Sequence, residues 1–298
     1  MTDPVYYYAS QGPISDPGRH ASALENLPTD IRDLCEVVQG LIIQPGWAQF
    51  YGWTVAKEQE DDLQLRLVRL MLGRVLELDN RPLTLERPPE ARLGGNCRDH
   101  TMLLVAMLRH QGVPARARCG FGAYFLPGKY EDHWVCEYWH PAEERWQLCD
   151  AQLNARQCEI LRIDFDTCDV PRDRFIVAGQ AWQMCRAGEA DPDAFGLTAV
   201  NEHGRWWVRQ NLVRDAAALN KMEMLPWDGW GLAWDLDDSL PTDQELLLDR
   251  VAILTQAEGA FWELRATYEG EVALRVPSAI RSYRPGGARL VEVPAGAA

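Results

Sequence analysis

The chain has 298 residues, of which 47% are hydrophobic and 25% are charged; these values are ordinary for a globular protein and exclude disorder on a large scale. The formal net charge of −14 argues against nucleic acid as a partner, because phosphates are bound by Lys and Arg. The same charge opposes docking on an anionic membrane surface, and no apolar run approaches the ~18–20 residues that span a bilayer.

The first residues carry neither the basic segment nor the apolar segment of a signal peptide. We therefore expect a cytoplasmic protein whose eight cysteines are reduced thiols. Because no C-x-x-C pair indicates a zinc or redox site, most of these cysteines are expected to be small buried hydrophobic residues. The sequence predicts no metal site and no cofactor.

Residues 1–93 are predicted to form a mainly helical N-terminal cover. Thr29 is the expected N-cap of a first helix, whose apolar residues recur at helical spacing until Pro45. A second helix is predicted over residues 56–78. The residues expected on its buried side are Leu63, Leu67, Leu70, Met71 and Leu76.

The segment WAQFYGWTV, over residues 47–55, is dense in aromatic side chains. Such density favours a core over a pocket wall by roughly 3:1. Beyond Asp150, residues 151–298 are predicted as a C-terminal elaboration of the same domain. A helix is expected over about 210–222, and Thr242 is expected to open a capping box and a further helix to about 256. Since no long linker divides the chain, residues 1–298 are predicted to form a single domain.

The stretch from Gly94 to Asp150 carries the residues with recognisable chemistry. A helix is predicted directly after Gly95, which places Cys97 in its first turn. Unpaired backbone N–H groups at a helix start favour an anion, and the thiolate is the nucleophilic form of cysteine. The glycines before Cys97 are expected to let the backbone approach a substrate closely.

Three strands are predicted to follow this helix, over residues 115–124, 133–139 and 145–150. If the second and third pair as a hairpin around the turn HPAEE, His133 and Asp150 come out at the same end of the sheet. A carboxylate that accepts from the imidazole would fix its tautomer, and the other ring nitrogen would face Cys97. Each residue taken alone is more often structural, but a thiol, an imidazole and a carboxylate in this order form a nucleophilic triad.

The stretch resembles the core of the transglutaminase-like superfamily, which is related in fold to papain-like cysteine peptidases. The matching features are the glycine-preceded Cys97, the helix exit LRHQGVPARARCGF, His133 followed by Trp134, and Trp146 shortly before Asp150. The resemblance covers about residues 94–150. It implies an α+β fold in which a catalytic helix packs on an antiparallel sheet, with helical N- and C-terminal additions.

The resemblance also implies roles for individual residues. Cys97 would be the nucleophile, His133 the base and acid, and Asp150 the residue that orients the imidazole. One oxyanion donor would be the backbone N–H of Cys97. The second donor is an upstream aromatic or amide side chain in several relatives, and its candidates here are Trp47, Tyr51 and Trp53.

We therefore expect a hydrolase of peptidase or amidase type that acts on an amide, ester or thioester through an acyl-enzyme. An acyltransferase that passes the acyl group to an amine and a non-catalytic binding module of the same fold are the alternatives. The expected partner is a small-molecule, peptide or acyl-carrier substrate, with no nucleic acid and no membrane; the oligomeric state stays open. Nothing resembles the calcium sites or β-domains of animal transglutaminases, so protein cross-linking is not expected.

Three further residues lie beside Cys97 in the sequence. His100 is three positions along the same predicted helix and could neighbour the thiol, without any partner spacing typical of zinc. Arg98 and Asp99 are expected to form local pairs at the helix start rather than substrate contacts.

Overall fold

The computed structural model describes residues 4–234, 239–284 and 287–293. Helices and mainly antiparallel strands are mixed along this chain, which confirms the α+β class. The α-helices are α1 Pro4–Tyr7, α2 Ile31–Leu41, α3 Lys57–Asp62, α4 Val68–Leu78, α5 Cys97–His110, α6 Ala155–Leu161, α7 Ala178–Ala187, α8 Arg205–Leu219, α9 Thr242–Leu254 and α10 Phe261–Gly270. The strands are β1 Ile42–Ile43, β2 Leu93–Gly94, β3 Ala115–Gly122, β4 Tyr130–His140, β5 Arg145–Cys149, β6 Phe175–Val177, β7 Phe195–Leu197, β8 Glu202–His203, β9 Asp228–Gly229, β10 Ala279–Arg284 and β11 Gly287–Glu292.

The chain divides into two compact units, and the boundaries fall inside β3 and β4. The first unit comprises residues 1–117 and 135–170, and the second comprises residues 118–134 and 171–298. The single-domain organisation stays a prediction. Among the described residues, no helix is both long and apolar enough to cross a membrane.

In the first unit, α5 packs against α2 and α4. Every residue of α5 from Cys97 to Arg109 is buried, as expected for a helix that is apolar nearly all round. The short strand β1 pairs in parallel with β2, directly ahead of α5. The predicted hairpin around HPAEE is present, because β4 and β5 pair antiparallel from His140↔Arg145 to Cys136↔Cys149.

In the second unit, α8 packs against α7, α9 and β7, and five of its twelve buried residues are charged or carry a side-chain amide. Asp215 of α8 accepts hydrogen bonds at 3.0 and 2.9 Å from Arg118, which is 3% exposed. The same carboxylate accepts from the backbone N–H of Cys119. A charge that is buried in this way is tolerated because each of its oxygens is paired.

Several predicted boundaries in the N-terminal part were wrong. Asp30, not Thr29, caps α2, since its carboxylate accepts from the backbone N–H groups of Arg32 and Asp33. The predicted helix over residues 56–78 is two helices, α3 and α4, with a break at residues 63–67. The break changes the helical phase, so Leu70 is 49% exposed instead of buried.

Two boundaries further along the chain also differ. The strand that carries His133 begins three residues earlier, at Tyr130, so His133 is not at its head. Thr242 is the first residue of α9, whose N-cap is Pro241 and has no side-chain cap bond, so the predicted capping box is absent there.

The buried Arg118–Asp215 pair should contribute more to the free energy of unfolding than an exposed pair of the same type. Asp215→Ala should lower the free energy of unfolding by about 3–5 kcal/mol, because it removes the carboxylate that compensates the buried charge of Arg118. Glu263→Ala breaks a pair with Arg250 whose side chains are 56% and 55% exposed, and should cost less than about 1 kcal/mol. Urea unfolding followed by tryptophan fluorescence would measure the stability of both variants. An equal loss of free energy in the two variants would contradict the larger contribution assigned to the buried pair.

Candidate active site

Cys97 is the first residue of α5, and the cap of this helix is built from side chains. Asn96 accepts at its side-chain oxygen from the backbone N–H of Asp99, at 3.3 Å. The Asp99 carboxylate in turn accepts from the backbone N–H of Asn96, at 3.0 Å. This reciprocal capping box defines where the helix begins. It therefore places the Cys97 thiol, which is 9% exposed, at the positive end of the helix dipole.

The residues that follow Cys97 are held by local bonds, as expected for Arg98 and Asp99. Arg98 donates to the Asp99 carboxylate at 3.1 Å and to the carbonyl of Arg66 at 2.6 Å. Burial raises the pKa of Asp99, while the Arg98 charge opposes that rise. His100 donates through Nδ1 to the carbonyl of Asn96 at 2.8 Å, since a carbonyl can only accept. These three side chains brace the first turn of α5.

The glycine pair ahead of Cys97 has a different role from the one expected. A Cβ atom on Gly94 would overlap the backbone carbonyl oxygen of Gln59. A Cβ atom on Gly95 would lie 2.7 Å from a methyl group of Ile42. The glycines therefore allow a close approach of the chain to itself, and this approach seats β2 and the start of α5 in the first unit.

Gln59 explains why the approach is so close. Its amide donates to the carbonyls of Pro89 and Arg92, both at 3.0 Å. Its Oε1 accepts from the indole N–H of Trp53 at 2.9 Å and from the backbone N–H of Ala56 at 3.2 Å. The side chain thus ties α3 to the segment that leads into β2.

The predicted oxyanion candidates lie on or just after a 3₁₀ helix, Pro45–Tyr51. The Trp47 ring packs against the Phe50 ring at a centroid distance of 5.2 Å. The Tyr51 hydroxyl accepts from the side-chain amide of Asn154 at 2.6 Å. The Trp53 indole N–H is used by Gln59. Two of the three polar groups are thus engaged inside the first unit.

Gln44 is a further candidate site residue that the sequence interpretation missed. Gln44 follows β1 directly, and β1 pairs with β2 in the register Ile43↔Gly94. The backbone N–H of Gly95 continues this pairing by donating to the carbonyl of Ile43 at 3.0 Å. Within the described residues, the buried Oε1 of Gln44 has no hydrogen-bond partner. The sequence does show an amide side chain shortly before the aromatic segment. The sequence interpretation considered only the aromatic residues of that segment.

His133 lies in the part of β4 that belongs to the second unit and is 2% exposed. Its ring meets three aromatic rings edge-on, with centroid distances of 6.0 Å to Tyr124, 4.8 Å to Phe125 and 6.3 Å to Phe175. Rings on several sides limit the rotation of the imidazole and keep water away from it. Its neighbour Asp132 accepts from a tryptophan indole N–H at 2.8 Å, and burial raises the pKa of that carboxyl.

Asp150 follows β5 directly, in the first unit, and is 1% exposed. Its backbone N–H donates to the carbonyl of Thr167 at 2.8 Å, and its Oδ1 accepts from the backbone N–H of Gln152 at 3.0 Å. Continuing the register from Cys136↔Cys149 by one pair sets Asp150 opposite Val135. His133 lies two residues before Val135 in the same strand.

The three candidate residues do not all fall in one unit. Cys97 and Asp150 belong to the first unit, and His133 belongs to the second. The strand that carries His133 continues into the first unit at Val135.

Comparison with known proteins gives one match. Residues 77–151, a quarter of the chain, match the family model of the transglutaminase-like superfamily. The resemblance inferred from the motifs is thus confirmed: this segment is a transglutaminase-like core, and it contains Cys97, His133 and Asp150. Members of this superfamily are generally cysteine-based hydrolases or acyltransferases. No curated protein and no solved structure matches the chain significantly.

The glycine approach generates a prediction about the start of α5. Gly94→Ala should lower the free energy of unfolding by about 1–3 kcal/mol, because the added methyl group meets backbone, which cannot rotate away. Gly46→Ala is the matched control, since its added methyl group meets nothing within 4 Å, and its effect should stay within about 0.5 kcal/mol. Thermal unfolding would compare the two; a neutral Gly94→Ala would contradict the role assigned to the glycine pair.

Proposed function

We propose that this protein is a cysteine enzyme that cleaves an amide, ester or thioester bond through an acyl-enzyme intermediate. The observation that carries the proposal is the position of Cys97, at the first residue of a capped and buried helix, inside a transglutaminase-like segment. The same segment contains His133 and Asp150 in the order of a nucleophilic triad. The proposed substrate is a small molecule, a peptide or an acyl carrier.

In the proposed reaction, His133 takes the proton of Cys97, the resulting thiolate attacks the carbonyl carbon, and the C=O π electrons move onto oxygen. The backbone N–H of Cys97 is proposed as one donor to this oxyanion, because it lies in the first turn of α5. We propose the Gln44 amide as the second donor, in place of the aromatic candidates. Rotation about the terminal bond of Gln44 exchanges its carbonyl and N–H₂ groups, so the side chain can present a donor at its buried position.

His133 then donates a proton to the leaving amine, alcohol or thiol as the carbon–heteroatom bond breaks, which leaves a thioester on Cys97. Water gives a proton to His133 and attacks the thioester, and the acid is released with the thiol regenerated. Asp150 is proposed to keep the imidazole in the productive tautomer. The carboxylate is itself held in place, because its Oδ1 accepts from the backbone N–H of Gln152.

Transfer to an amine is the second candidate function, and one observation favours it. The imidazole of His133 is nearly surrounded by the rings of Tyr124, Phe125 and Phe175. A water-poor base favours an organic amine over water as the acceptor of the acyl group. In that case an amide is formed, and the proton lost by the amine goes to His133.

The nucleophile is tested with p-nitrophenyl acetate as a probe for acylation. Cys97→Ala should lower the rate of p-nitrophenol release on the order of a thousandfold or more, because no thiolate remains to attack. Cys185→Ala is the control: burial raises the pKa of this thiol to about 11, so it holds little thiolate near neutral pH. An unchanged rate in Cys97→Ala would refute the proposed nucleophile, and wild-type protein without any activity would favour the binding module.

The same assay with added glycine methyl ester separates hydrolysis from transfer. A hydrolase should give acetate at a rate that is independent of the amine. A transferase should give N-acetylglycine methyl ester at the expense of acetate. Both products depend on Cys97, so the outcome decides between the two candidate functions without altering the test of the nucleophile.

The second oxyanion donor is tested by paired glutamine variants. Gln44→Ala should lower kcat by about 10²–10³, since one donor to the developing oxyanion is lost. Gln49→Ala, on the exposed side of the same 3₁₀ helix, should leave kcat unchanged. Trp53→Phe should affect stability more than kcat, because its indole N–H serves Gln59. A large loss of kcat in Trp53→Phe with none in Gln44→Ala would return the role to the aromatic segment.

A further inference from the structure

Three cysteines of the first unit form a cluster that the proposed reaction does not use. The Sγ atoms of Cys35, Cys149 and Cys168 all lie within 4.8 Å of one another. Those of Cys35 and Cys149 are 3.3 Å apart. The three residues are 3%, 0% and 5% exposed, so the sulfur atoms face each other beneath the surface.

The backbone holds this cluster together without help from the thiols. Cys149 is the last residue of β5, and the loop with Cys168 is bonded to the strand on both sides of it. The N–H of Asp150 donates to the carbonyl of Thr167, and the N–H of Val170 donates to the carbonyl of Leu148, both at 2.8 Å.

The third cysteine is brought in by α2. Cys35 lies on the buried face of this helix. One turn further along, the Gln39 side chain donates to the carbonyls of Ala151 and Leu153, just after β5. The three sulfur positions are therefore preorganised by a helix, a strand end and a loop, each fixed independently of the thiols.

The thiols of the cluster shift one another's pKa values. Hydrogen bonds from Cys149 and Cys35 lower the pKa of Cys168 to about 4, and the nearby Arg32 charge acts in the same direction. The pKa of Cys149 is raised well above its usual value by its hydrogen bonds with Cys168 and Cys35.

The spacing suits a metal that binds sulfur. With metal–sulfur bonds of about 2.3 Å, three ligands around one ion are about 4 Å apart; the sulfur atoms of Cys35 and Cys149, now 3.3 Å apart, would separate slightly on binding. Among the described residues, the group contains three thiols and neither a histidine nor a carboxylate. Zinc in structural sites takes four ligands, whereas thiolates also select Cu(I), which is soft.

We propose that Cys35, Cys149 and Cys168 form a binding site for one Cu(I) ion through three sulfur ligands. On binding, three copper–sulfur bonds form and the protons of the thiols leave to solvent. No electron is transferred, and copper stays Cu(I). The site is separate from the proposed reaction at Cys97, so it stands or falls independently of the proposed function.

The test titrates reduced, oxygen-free protein with Cu(I) against a chromogenic Cu(I) chelator. Wild-type protein should take one equivalent and develop an ultraviolet sulfur-to-copper charge-transfer band. Cys168→Ser, the variant nearest to the surface, should weaken binding by at least about tenfold to a hundredfold, as the loss of a ligand removes a metal–sulfur bond. Cys97→Ser and Cys158→Ser, which alter thiols outside the cluster, should bind copper as wild type does.

X-ray absorption at the copper edge is measured on wild-type protein, so its result does not depend on whether a variant folds. Three sulfur neighbours at a single distance near 2.3 Å are expected. Fewer than three sulfur neighbours, nitrogen or oxygen neighbours in their place, or equal affinity in Cys168→Ser and wild type would overturn the proposal. Thiols that are packed only as small apolar side chains would bind no equivalent of copper at all.

Discussion

The contact between the backbones of Gly94 and Gln59 is the constraint on which the first unit depends. It brings α3 against β2, and β2 pairs with β1 just before α5 begins. Asn96 and Asp99 then form the capping box, so α5 begins at Cys97. A side chain larger than glycine at this point would separate the segments that hold the proposed nucleophile.

The pairing of β1 with β2 also determines where Gln44 lies. β1 ends one residue before Gln44, and its partner β2 ends three residues before Cys97. The parallel pairing of β1 with β2, two residues on each strand, therefore connects Gln44 with the start of α5. This link depends on backbone pairing, so it is insensitive to the identity of the aromatic residues that follow Gln44.

Local signals in the sequence predicted much of the central stretch. The glycine pair and the apolar run after Cys97 predicted where α5 begins, and the turn HPAEE predicted the β4–β5 hairpin. The break between α3 and α4 was missed because leucines at residues 63, 67 and 70 continue a helical spacing across it. The role of the glycines was misjudged because the atom they approach belongs to Gln59, which is 35 residues away in sequence from Gly94.

Contacts between distant residues account for the other missed features. Cys35 and Cys149 are 114 positions apart, so no short spacing such as C-x-x-C marks their cluster. The buried face of α8 is rich in charged and amide side chains, and hydropathy alone would assign such a face to solvent. Asp215 can be buried there only because Arg118 and the backbone N–H of Cys119 pair with it.

The central claim is that Cys97 carries an acyl group during catalysis, with His133 as the base that releases it. The most direct measurement is peptide mass spectrometry of protein quenched in acid during reaction with p-nitrophenyl acetate. The account predicts an acetyl group on the peptide that contains Cys97, and a longer-lived one in His133→Ala once it is acylated, because deacylation needs the imidazole. Acetylation spread over other cysteines and lysines, with none enriched at Cys97, would contradict it.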